Sequence, residues 1–284
     1  MAMILAAAVL AASTLAACSP GKLLNLATSS NGANIETNVA YGDGPRRTLD
    51  IYAPREAHSA PVVIFFYGGS WQSGEKKTYQ FVASALAAKG IVTVVPDYRL
   101  YPEVHYQGFL DDAAKAVRWA KDHAHRYGGD PSKLFVVGHS AGAYIAAMLA
   151  LDDTWLGKQN LVALRDLKGF VGISGPYDFL PSEDDKIVAI FSTAKTPAQS
   201  QPVTFSGGRH PPTLLLHGAS DNTVYPRNST ILGDRMRASG TPVEVKLYKG
   251  VGHLGIIGAM GSPVRFIAPT LEDTAKFVWS NSGR

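Results

Sequence analysis

The sequence predicts an α/β fold in which helices cover both faces of a mostly parallel sheet. Apolar runs of six or seven residues alternate along the chain with stretches of helical pattern. Such alternation is typical of parallel strands joined by helices. Hydrophobic residues make up 46% of the 284 positions, which is enough to bury a large sheet. The length that follows the N-terminal region fits one domain with a single core.

The predicted elements follow one another in regular order. Strands are expected at residues 47–52, 61–66, 91–96, 133–138, 168–174, 212–217 and 242–248. Helices are expected at 78–89, 109–127, 141–151, 227–238 and 269–280. The run 61–66 is apolar throughout, as in a strand buried on both faces, whereas 242–248 alternates apolar and polar residues, as in a half-buried strand. The loops that follow the parallel strands are therefore expected at one common edge of the sheet.

The motif Gly138-His139-Ser140-Ala141-Gly142 lies between a predicted strand and a predicted helix. A sharp turn from strand to helix needs small residues on both sides, because the backbone closes too tightly there for larger side chains. Ser140 would lie at the tip of this turn, and the first helical amide, that of Ala141, would point toward negative charge developing beside it. The motif predicts a catalytic serine at position 140; the alternative is a serine that only caps the helix.

A serine hydroxyl needs a base, and the base needs a group that orients it. Asp221 follows the strand predicted at 212–217, and His253 follows the strand predicted at 242–248. The order Ser, Asp, His suits this architecture, and all three residues would lie at the same edge of the sheet. We expect His253 to take the proton of Ser140, and Asp221 to fix the tautomer of His253.

Other residues compete for these roles. Asp178 is the alternative acid, because it follows the strand predicted at 168–174; Asp221 is favoured since it lies one strand before the histidine. The remaining histidines are interpreted as structural or exposed. His139 lies inside the turn and is expected to point away from the serine, and His217 is expected to make a structural hydrogen bond.

The segment Tyr67-Gly68-Gly69-Ser70-Trp71 directly follows the strand predicted at 61–66. Paired glycines allow backbone N–H groups to turn into a cavity, and this position supplies the second half of an oxyanion hole. The predicted donors are the amides of Gly69 and Ser70, together with that of Ala141. A phosphate-binding loop would require Lys and then Ser or Thr directly after Gly74, which the sequence lacks.

Together these motifs resemble bacterial α/β-hydrolases of the carboxylesterase kind, close to hormone-sensitive-lipase-like esterases and arylformamidases. The family usually has a histidine where this sequence has Tyr67, and a tyrosine can still donate a hydrogen bond that holds the loop. The resemblance implies that Asp97 and Arg99 brace the same region. It covers most of the chain after about residue 41 and rests on Tyr67-Gly68-Gly69-Ser70-Trp71, Asp97-Tyr98-Arg99-Leu100, Gly128-Gly129-Asp130-Pro131, Gly138-His139-Ser140-Ala141-Gly142, Asp221 and Gly252-His253.

The candidates for the substrate pocket are large hydrophobic residues that follow the site loops. They are Trp71, Tyr177, Phe179 and Leu254, each of which could instead belong to the core. A compact aromatic pocket favours a short acyl or an aryl group. Residues 180–209 interrupt the alternation of elements and are rich in Ser, Pro, Thr and charged residues. They are expected to form an insertion over the site, either a lid or substrate-binding loop or a plain surface excursion.

The first 18 residues predict a bacterial lipoprotein signal. Residues 1–17 contain no charged side chain, and Leu15-Ala16-Ala17-Cys18 resembles a lipobox. Cys18 is the only cysteine and is the expected lipidation site. Residues 19–35 are predicted to be a tether and 36–284 the hydrolase domain. We expect a lipid-anchored protein of the bacterial envelope that faces the periplasm or the outer surface. The alternatives are an ordinary secretory signal, and so a secreted protein, or a buried helix.

Charge and motif content argue against other classes of function. The net charge is +4, from 27 basic and 23 acidic residues, and no basic stripe interleaved with aromatic residues indicates nucleic-acid binding. His-Glu-x-x-His does not occur, and the pair His123 and His125 lacks further ligands in a metal-binding spacing. The expected partner is a small-molecule ester.

We therefore expect a serine hydrolase that cleaves carboxylic esters of short-chain or aryl type through an acyl-enzyme, without a metal or other cofactor. An amidase such as an arylformamidase, or a peptidase, would use the same three residues. A lipoprotein that keeps the fold for binding and has lost turnover is the alternative from a different class. The presence of Ser140, Asp221 and His253 argues against that alternative.

Overall fold

The computed structural model describes residues 20–30 and 32–283, and an eight-stranded sheet forms the centre of that part of the chain. The strands are β1 Ala33–Ala40, β2 Thr48–Pro54, β3 Ala60–Phe66, β4 Val92–Pro96, β5 Gly129–His139, β6 Leu167–Ile173, β7 Thr213–Gly218 and β8 Val243–Tyr248. Their order across the sheet is β1-β2-β4-β3-β5-β6-β7-β8. Pairing is antiparallel from β1 to β2 and from β2 to β4, and parallel between all later neighbours.

Helices follow most of the strands. They are α1 Pro20–Ala27, α2 Gln80–Ala87, α3 Tyr106–His123, α4 Ala141–Leu151, α5 Asp153–Gly157, α6 Ala163–Asp166, α7 Asp185–Phe191, α8 Arg227–Ala238, α9 His253–Gly258 and α10 Thr270–Ser282. Every residue of β3, β4 and β7 is buried, so both faces of these strands are covered. The prediction of an α/β fold with a mostly parallel sheet is confirmed.

Strand β1 is absent from the predicted elements. Its sequence, ANIETNVA, is polar and largely exposed, so it lacks an apolar signal. A bulge interrupts its pairing with β2 between Glu36 and Val39. Inside the bulge, the Asn38 side chain accepts a hydrogen bond of 2.7 Å from Lys76 Nζ, which lies 2.8 Å from Asp50 Oδ1. Asp50 and Lys76 are both buried, so a buried ion pair fixes the bulge.

The segment predicted to be a tether, residues 19–35, contains α1 and the start of β1 where the structure describes it. Asn25 joins α1 to the domain: its Nδ2 donates to the Lys77 carbonyl at 2.7 Å, and its Oδ1 accepts from the Phe81 amide at 2.8 Å. Leu24 packs against the core. Helix α1 is therefore docked on the domain, which differs from the prediction of a tether, because contacts with residues far along the chain order it.

The predicted lipoprotein signal lies outside the described residues, and so does Cys18. Within the part of the chain that the structure describes, no helix has the length and apolar character needed to cross a bilayer.

Candidate active site

Ser140 lies at the abrupt turn between β5 and α4. Its backbone angles, φ +55° and ψ −124°, are ones that a residue with a side chain adopts only where the surrounding structure enforces them. Glycines on both sides make the turn possible. A Cβ on Gly138 would collide with the Gly142 carbonyl, and a Cβ on Gly142 would collide with the carbonyl of Phe66. The turn thus holds the Ser140 side chain at the edge of the sheet where the parallel strands end.

The structure brings Ser140, His253 and Asp221 into one chain of hydrogen bonds. His253 Nε2 lies 2.9 Å from Ser140 Oγ, and His253 Nδ1 lies 2.7 Å from Asp221 Oδ2. A carboxylate only accepts hydrogen bonds, so Nδ1 carries the proton and the Nε2 lone pair faces the serine hydroxyl. This geometry allows His253 to withdraw the proton of Ser140.

Asp221 is held by the loop that carries it. The amides of Thr223 and Val224 donate to Asp221 Oδ1 at 3.0 and 2.9 Å. Burial raises the pKa of the Asp221 carboxyl, but hydrogen bonds from the Val224 amide and from His253 outweigh burial, and the pKa lies below its usual value. Asp221 is therefore a carboxylate at neutral pH, as the orienting role requires.

The loops of Asp221 and His253 are also joined through the backbone. The Ser220 amide donates to the Val251 carbonyl at 3.0 Å, and the Ala219 amide donates to the Tyr248 carbonyl at 2.9 Å. Asp178 is placed differently: it is exposed, and its amide donates to Asn228 Oδ1 at 3.0 Å. Of the two candidate acids, the structure brings Asp221 to His253.

The loop after β3 runs beside Ser140. Gly69, Ser70 and Trp71 all have positive φ values, of +132°, +51° and +59°. A Cβ on Gly68 would lie only 2.9 Å from the Ser140 Cβ, so the close approach requires a glycine. The loop therefore turns sharply next to the serine, where the sequence places the oxyanion donors.

Tyr67 anchors the start of this loop. Its hydroxyl donates to Asp97 Oδ1 at 2.6 Å and accepts from Arg46 Nη2 at 2.9 Å, and the Tyr98 hydroxyl donates to the Tyr67 carbonyl at 2.7 Å. Burial raises the pKa of Tyr67 well above its usual value, so the phenol stays neutral. Arg99 instead pairs with the buried Asp112, with 2.8 Å between Arg99 Nε and Asp112 Oδ2. Asp97 thus braces the loop directly, and Arg99 braces the segment that follows Asp97.

A cavity of about 320 Å³ opens beside Ser140. Polar and apolar side chains share its wall. The lining residues are Ser70, Trp71, Ser140, Ala141, Pro176, Phe179, Ser182, Asp184, Ile187, Thr223 and Val224.

Two of the four predicted pocket residues, Trp71 and Phe179, line this cavity. Tyr177 and Leu254 do not. Tyr177 is fully buried, with its ring edge-on to Phe170. Its ring fills the space that Gly172 and Gly175 leave open, where a Cβ on either would collide with it. Leu254 is 70% exposed and points to solvent. Sequence reasoning missed Thr223 and Val224, although their position directly after Asp221 could have indicated them.

The segment 180–209 borders the cavity through Ser182, Asp184 and Ile187. Asp184 caps α7, accepting from the amide of Lys186 at 2.9 Å. Phe191, at the end of α7, packs with ring centroids 4.9 Å from Trp71, 5.1 Å from Phe179 and 5.4 Å from Tyr144. We call this segment the cover. Its position agrees with the predicted insertion over the site.

Two further histidines surround the site. His217 donates from Nε2 to the Val224 carbonyl at 2.8 Å, and its Nδ1 lies 2.7 Å from Ser229 Oγ, the kind of structural hydrogen bond expected for it. His139 Nε2 lies 3.1 Å from the backbone carbonyl oxygen of His253. Among the described residues, no group of three or more His, Cys, Asp or Glu side chains is arranged to hold a metal ion.

The fold and the hydrogen-bonded serine, histidine and aspartate define an α/β-hydrolase. A family model described as BD-FAE matches residues 49–236, about two thirds of the sequence, and the chain belongs to this family. The resemblance to α/β-hydrolase esterases is thereby confirmed.

Curated relatives include esterases from plants and bacteria. The chain is 30% identical over 242 residues to a probable isoprenylcysteine alpha-carbonyl methylesterase, ICMEL1, of Oryza sativa subsp. japonica, covering 76% of this chain and 56% of that protein. It is 28% identical over 235 residues to esterase LipC of Mycobacterium tuberculosis, covering 76% and 58%. The chain thus spans somewhat more than half the length of these relatives.

Solved structures share the fold at low sequence identity. A truncated carbohydrate esterase from gut microbiota aligns with a TM-score of 0.79 at 21% identity, covering 91% of this chain and 100% of that chain. Esterase B from Lactobacillus rhamnosis aligns with a TM-score of 0.80 at 20% identity, covering 100% and 97%. At these identities the likeness is evidence for the α/β-hydrolase fold.

Proposed function

We propose that this protein is a serine esterase that hydrolyses carboxylic esters through an acyl-enzyme. The observation that carries the proposal is the alignment of Ser140 Oγ, His253 and Asp221, at 2.9 and 2.7 Å, with Ser140 on the wall of a cavity. A buried carboxylate, a histidine with its free lone pair on the serine, and space for a substrate are the components of nucleophilic acyl transfer.

The reaction follows from these positions. Ser140 Oγ bonds to the ester carbonyl carbon while its proton moves to His253 Nε2, and the carbonyl oxygen becomes an oxyanion. Collapse of this intermediate breaks the bond to the alcohol, which leaves with the proton from Nε2. Water then repeats the sequence on the acyl-enzyme and releases the acid.

The oxyanion is assigned to the amides of Gly69, Ser70 and Ala141. Ala141 is the first residue of α4, and the amide there has no acceptor within its own helix. The sharply turned loop of Gly69 and Ser70 runs beside the serine, and Ser70 lines the same cavity as Ser140 and Ala141. In related enzymes, removal of one such donor lowers kcat by on the order of 10²-fold to 10³-fold.

Substitution of the nucleophile tests the proposal. Ser140→Ala should lower kcat/KM on p-nitrophenyl acetate by about 10⁴-fold or more and abolish labelling by a fluorophosphonate probe, with an unchanged melting temperature. The control is Ser280→Ala, at an exposed position of α10, which should behave as the unsubstituted protein. Activity of Ser140→Ala within tenfold of the unsubstituted protein would contradict the assignment.

The cavity supports short acyl or aryl groups as substrates. A volume of about 320 Å³ lined by Trp71, Phe179 and Ile187 buries a small apolar group, whereas a longer chain gains little because it extends into water. Across p-nitrophenyl esters, kcat/KM should peak between acetate and hexanoate and fall by dodecanoate. A rise through hexadecanoate with activation at an emulsion surface would instead make the cover a lipase lid.

Amide hydrolysis is the second candidate, because the chain is 35% identical over 145 residues to a kynurenine formamidase of Salmo salar, covering 51% of this chain and 47% of that protein. Matched aryl esters, anilides and formamides compared on one preparation decide between the two. Higher kcat/KM on the formamides would reassign the enzyme as an amidase. No turnover and no probe labelling would favour a binding protein.

We also propose that Cys18 carries a lipid anchor that holds the protein at the bacterial envelope. The support is the sequence Leu15-Ala16-Ala17-Cys18 and the absence of any other cysteine. In a bacterium that processes lipoproteins, the protein should incorporate labelled fatty acid, and Cys18→Ser should release active enzyme into the soluble fraction. A mature N-terminus elsewhere and no label would remove this proposal.

A further inference from the structure

His139 lies beside both the nucleophile and the base. It directly precedes Ser140 in the chain, and its Nε2 lies 3.1 Å from the backbone carbonyl oxygen of His253. The imidazole is 2% exposed, and its centroid lies 4.9 Å from that of the His253 ring, at an interplanar angle of 40°. One side chain thus joins the turn of the serine to the backbone of the base.

The acceptor fixes the tautomer of His139. A carbonyl oxygen only accepts, so Nε2 carries the proton and Nδ1 carries the lone pair. Among residues 20–30 and 32–283, Nδ1 has no hydrogen-bond partner. It faces the loop after β3, since a Cβ on Gly68 would lie 3.2 Å from it. The ring therefore touches the loop of the base on one side and the loop of the predicted oxyanion donors on the other.

His139 is neutral where the enzyme would work. Burial lowers the pKa of His139 to about 3, and the nearby charge of His253 acts in the same direction. The other titratable groups facing it are Asp221 and His217. A neutral ring donates its hydrogen bond without adding a full positive charge beside the imidazolium that forms on His253 during acyl transfer.

We propose that His139 is a positioning residue, which fixes the backbone of His253 by donating its Nε2 proton to that carbonyl. The inference rests on the proposed esterase function. Asp221 contacts only the imidazole of His253, and the backbone bond from Ser220 reaches Val251, two residues before it. Tying the backbone as well keeps Nε2 in line with Ser140 Oγ, and a displacement of about 1 Å in such a site can cost on the order of 10²-fold in rate.

Two substitutions separate the hydrogen bond from the volume of the ring. His139→Leu fills the space without a donor, and His139→Gln keeps an N–H donor at about the reach of Nε2. His139→Leu should lower kcat by roughly 10-fold to 10²-fold while KM changes by less than about threefold, because the loss falls on the reacting geometry. His139→Gln should recover most of kcat. A kcat for His139→Leu within twofold of the unsubstituted enzyme, or no recovery with Gln, would overturn the proposal.

A second measurement is made on the unsubstituted protein and does not depend on whether a variant folds. It records ¹⁵N NMR spectra of the protein labelled at histidine. Besides His217, which contacts Ser229, one further buried histidine should show the Nε2-H tautomer and remain neutral from pH 5 to 8. Its absence would overturn the proposal even if the variants misfold. Loss of activity in Ser140→Ala with full activity in His139→Leu would refute the positioning role alone, whereas full activity in Ser140→Ala would refute the esterase function.

Discussion

The loops that carry Ser140, Asp221 and His253 and the cover above them are fixed by different means. The catalytic loops are held by backbone groups in close contact, such as the amide of Ser220 on the carbonyl of Val251 at 3.0 Å. Glycines stand where these backbones approach, and at Gly218 a Cβ would collide with the Val251 carbonyl. The geometry of these loops is therefore set largely by backbone contacts, to which the His139 side chain adds its contact with the His253 carbonyl.

The cover is held mostly by side chains, beside a backbone hydrogen bond of 3.1 Å from its Val203 amide. Phe191 lies among the rings of Trp71, Tyr144 and Phe179, and the Gln201 side chain accepts from the Phe179 amide at 2.8 Å. This difference shows that the site has two parts. Backbone contacts fix the catalytic loops, whereas side-chain packing fixes the cover. Substitutions in the first should change the reaction, whereas substitutions in the second should change stability and access.

The largest expected effect distinguishes the two candidates for the acid that orients His253. Asp221→Asn should lower kcat by about 10³-fold to 10⁴-fold, because an amide at this position favours the wrong tautomer of His253. Asp178→Asn, the matched control, should leave kcat within about threefold, since Asp178 is exposed and its side chain does not orient His253. The reverse result in steady-state kinetics would mean that Asp178 is the acid.

The second effect tests the packing of the cover. Phe191→Ala should lower the free energy of unfolding by about 3–5 kcal/mol, because it leaves a void among the aromatic rings. Val188→Ala in the same helix, at a side chain 45% exposed, should change it by about 0.5 kcal/mol or less. Urea unfolding measures both. Equal losses for the two variants would show that the ring cluster does not hold the cover.

The smallest effect concerns pH. The pKa of His139 is about 3 in the folded protein, so the unfolded chain takes up a proton first as the pH falls below the usual value of about 6.5. His139 therefore lowers stability progressively between those two values, by about 2 kcal/mol at pH 5. Between pH 7.5 and 5, the free energy of unfolding should fall by about 2 kcal/mol less in His139→Gln than in the unsubstituted protein. Identical pH dependence would contradict a buried neutral ring.

Much of the fold was predictable because its signals are local. Most of the seven predicted strands are apolar runs, 242–248 alternates apolar and polar residues, and the glycines around Ser140 mark the turn. Strand β1 was missed because its residues are polar and its order comes from pairing with β2. The docking of α1 was missed for a similar reason, since Asn25 is held by residues 52 and 56 positions away.

The candidate site divides in the same way. The positions of Ser140, Asp221 and His253 followed from the motif around the serine and from the order of the parallel strands. The wall of the cavity did not, because the direction of a side chain depends on the space available around it. Tyr177 and Phe179 are two residues apart in one loop, yet Tyr177 enters the core and Phe179 lines the cavity. No pattern in the sequence distinguishes them.

The bulge in β1 has a consequence for how this molecule meets its own copies in concentrated solution. An edge strand presents a row of free amide and carbonyl groups on which another chain can add a strand and begin aggregation. The bulge breaks that row between Glu36 and Val39, and the buried pair of Lys76 and Asp50 keeps it from straightening. A bulge held in this way is one of the devices by which edge strands in natural sheets discourage the addition of another chain.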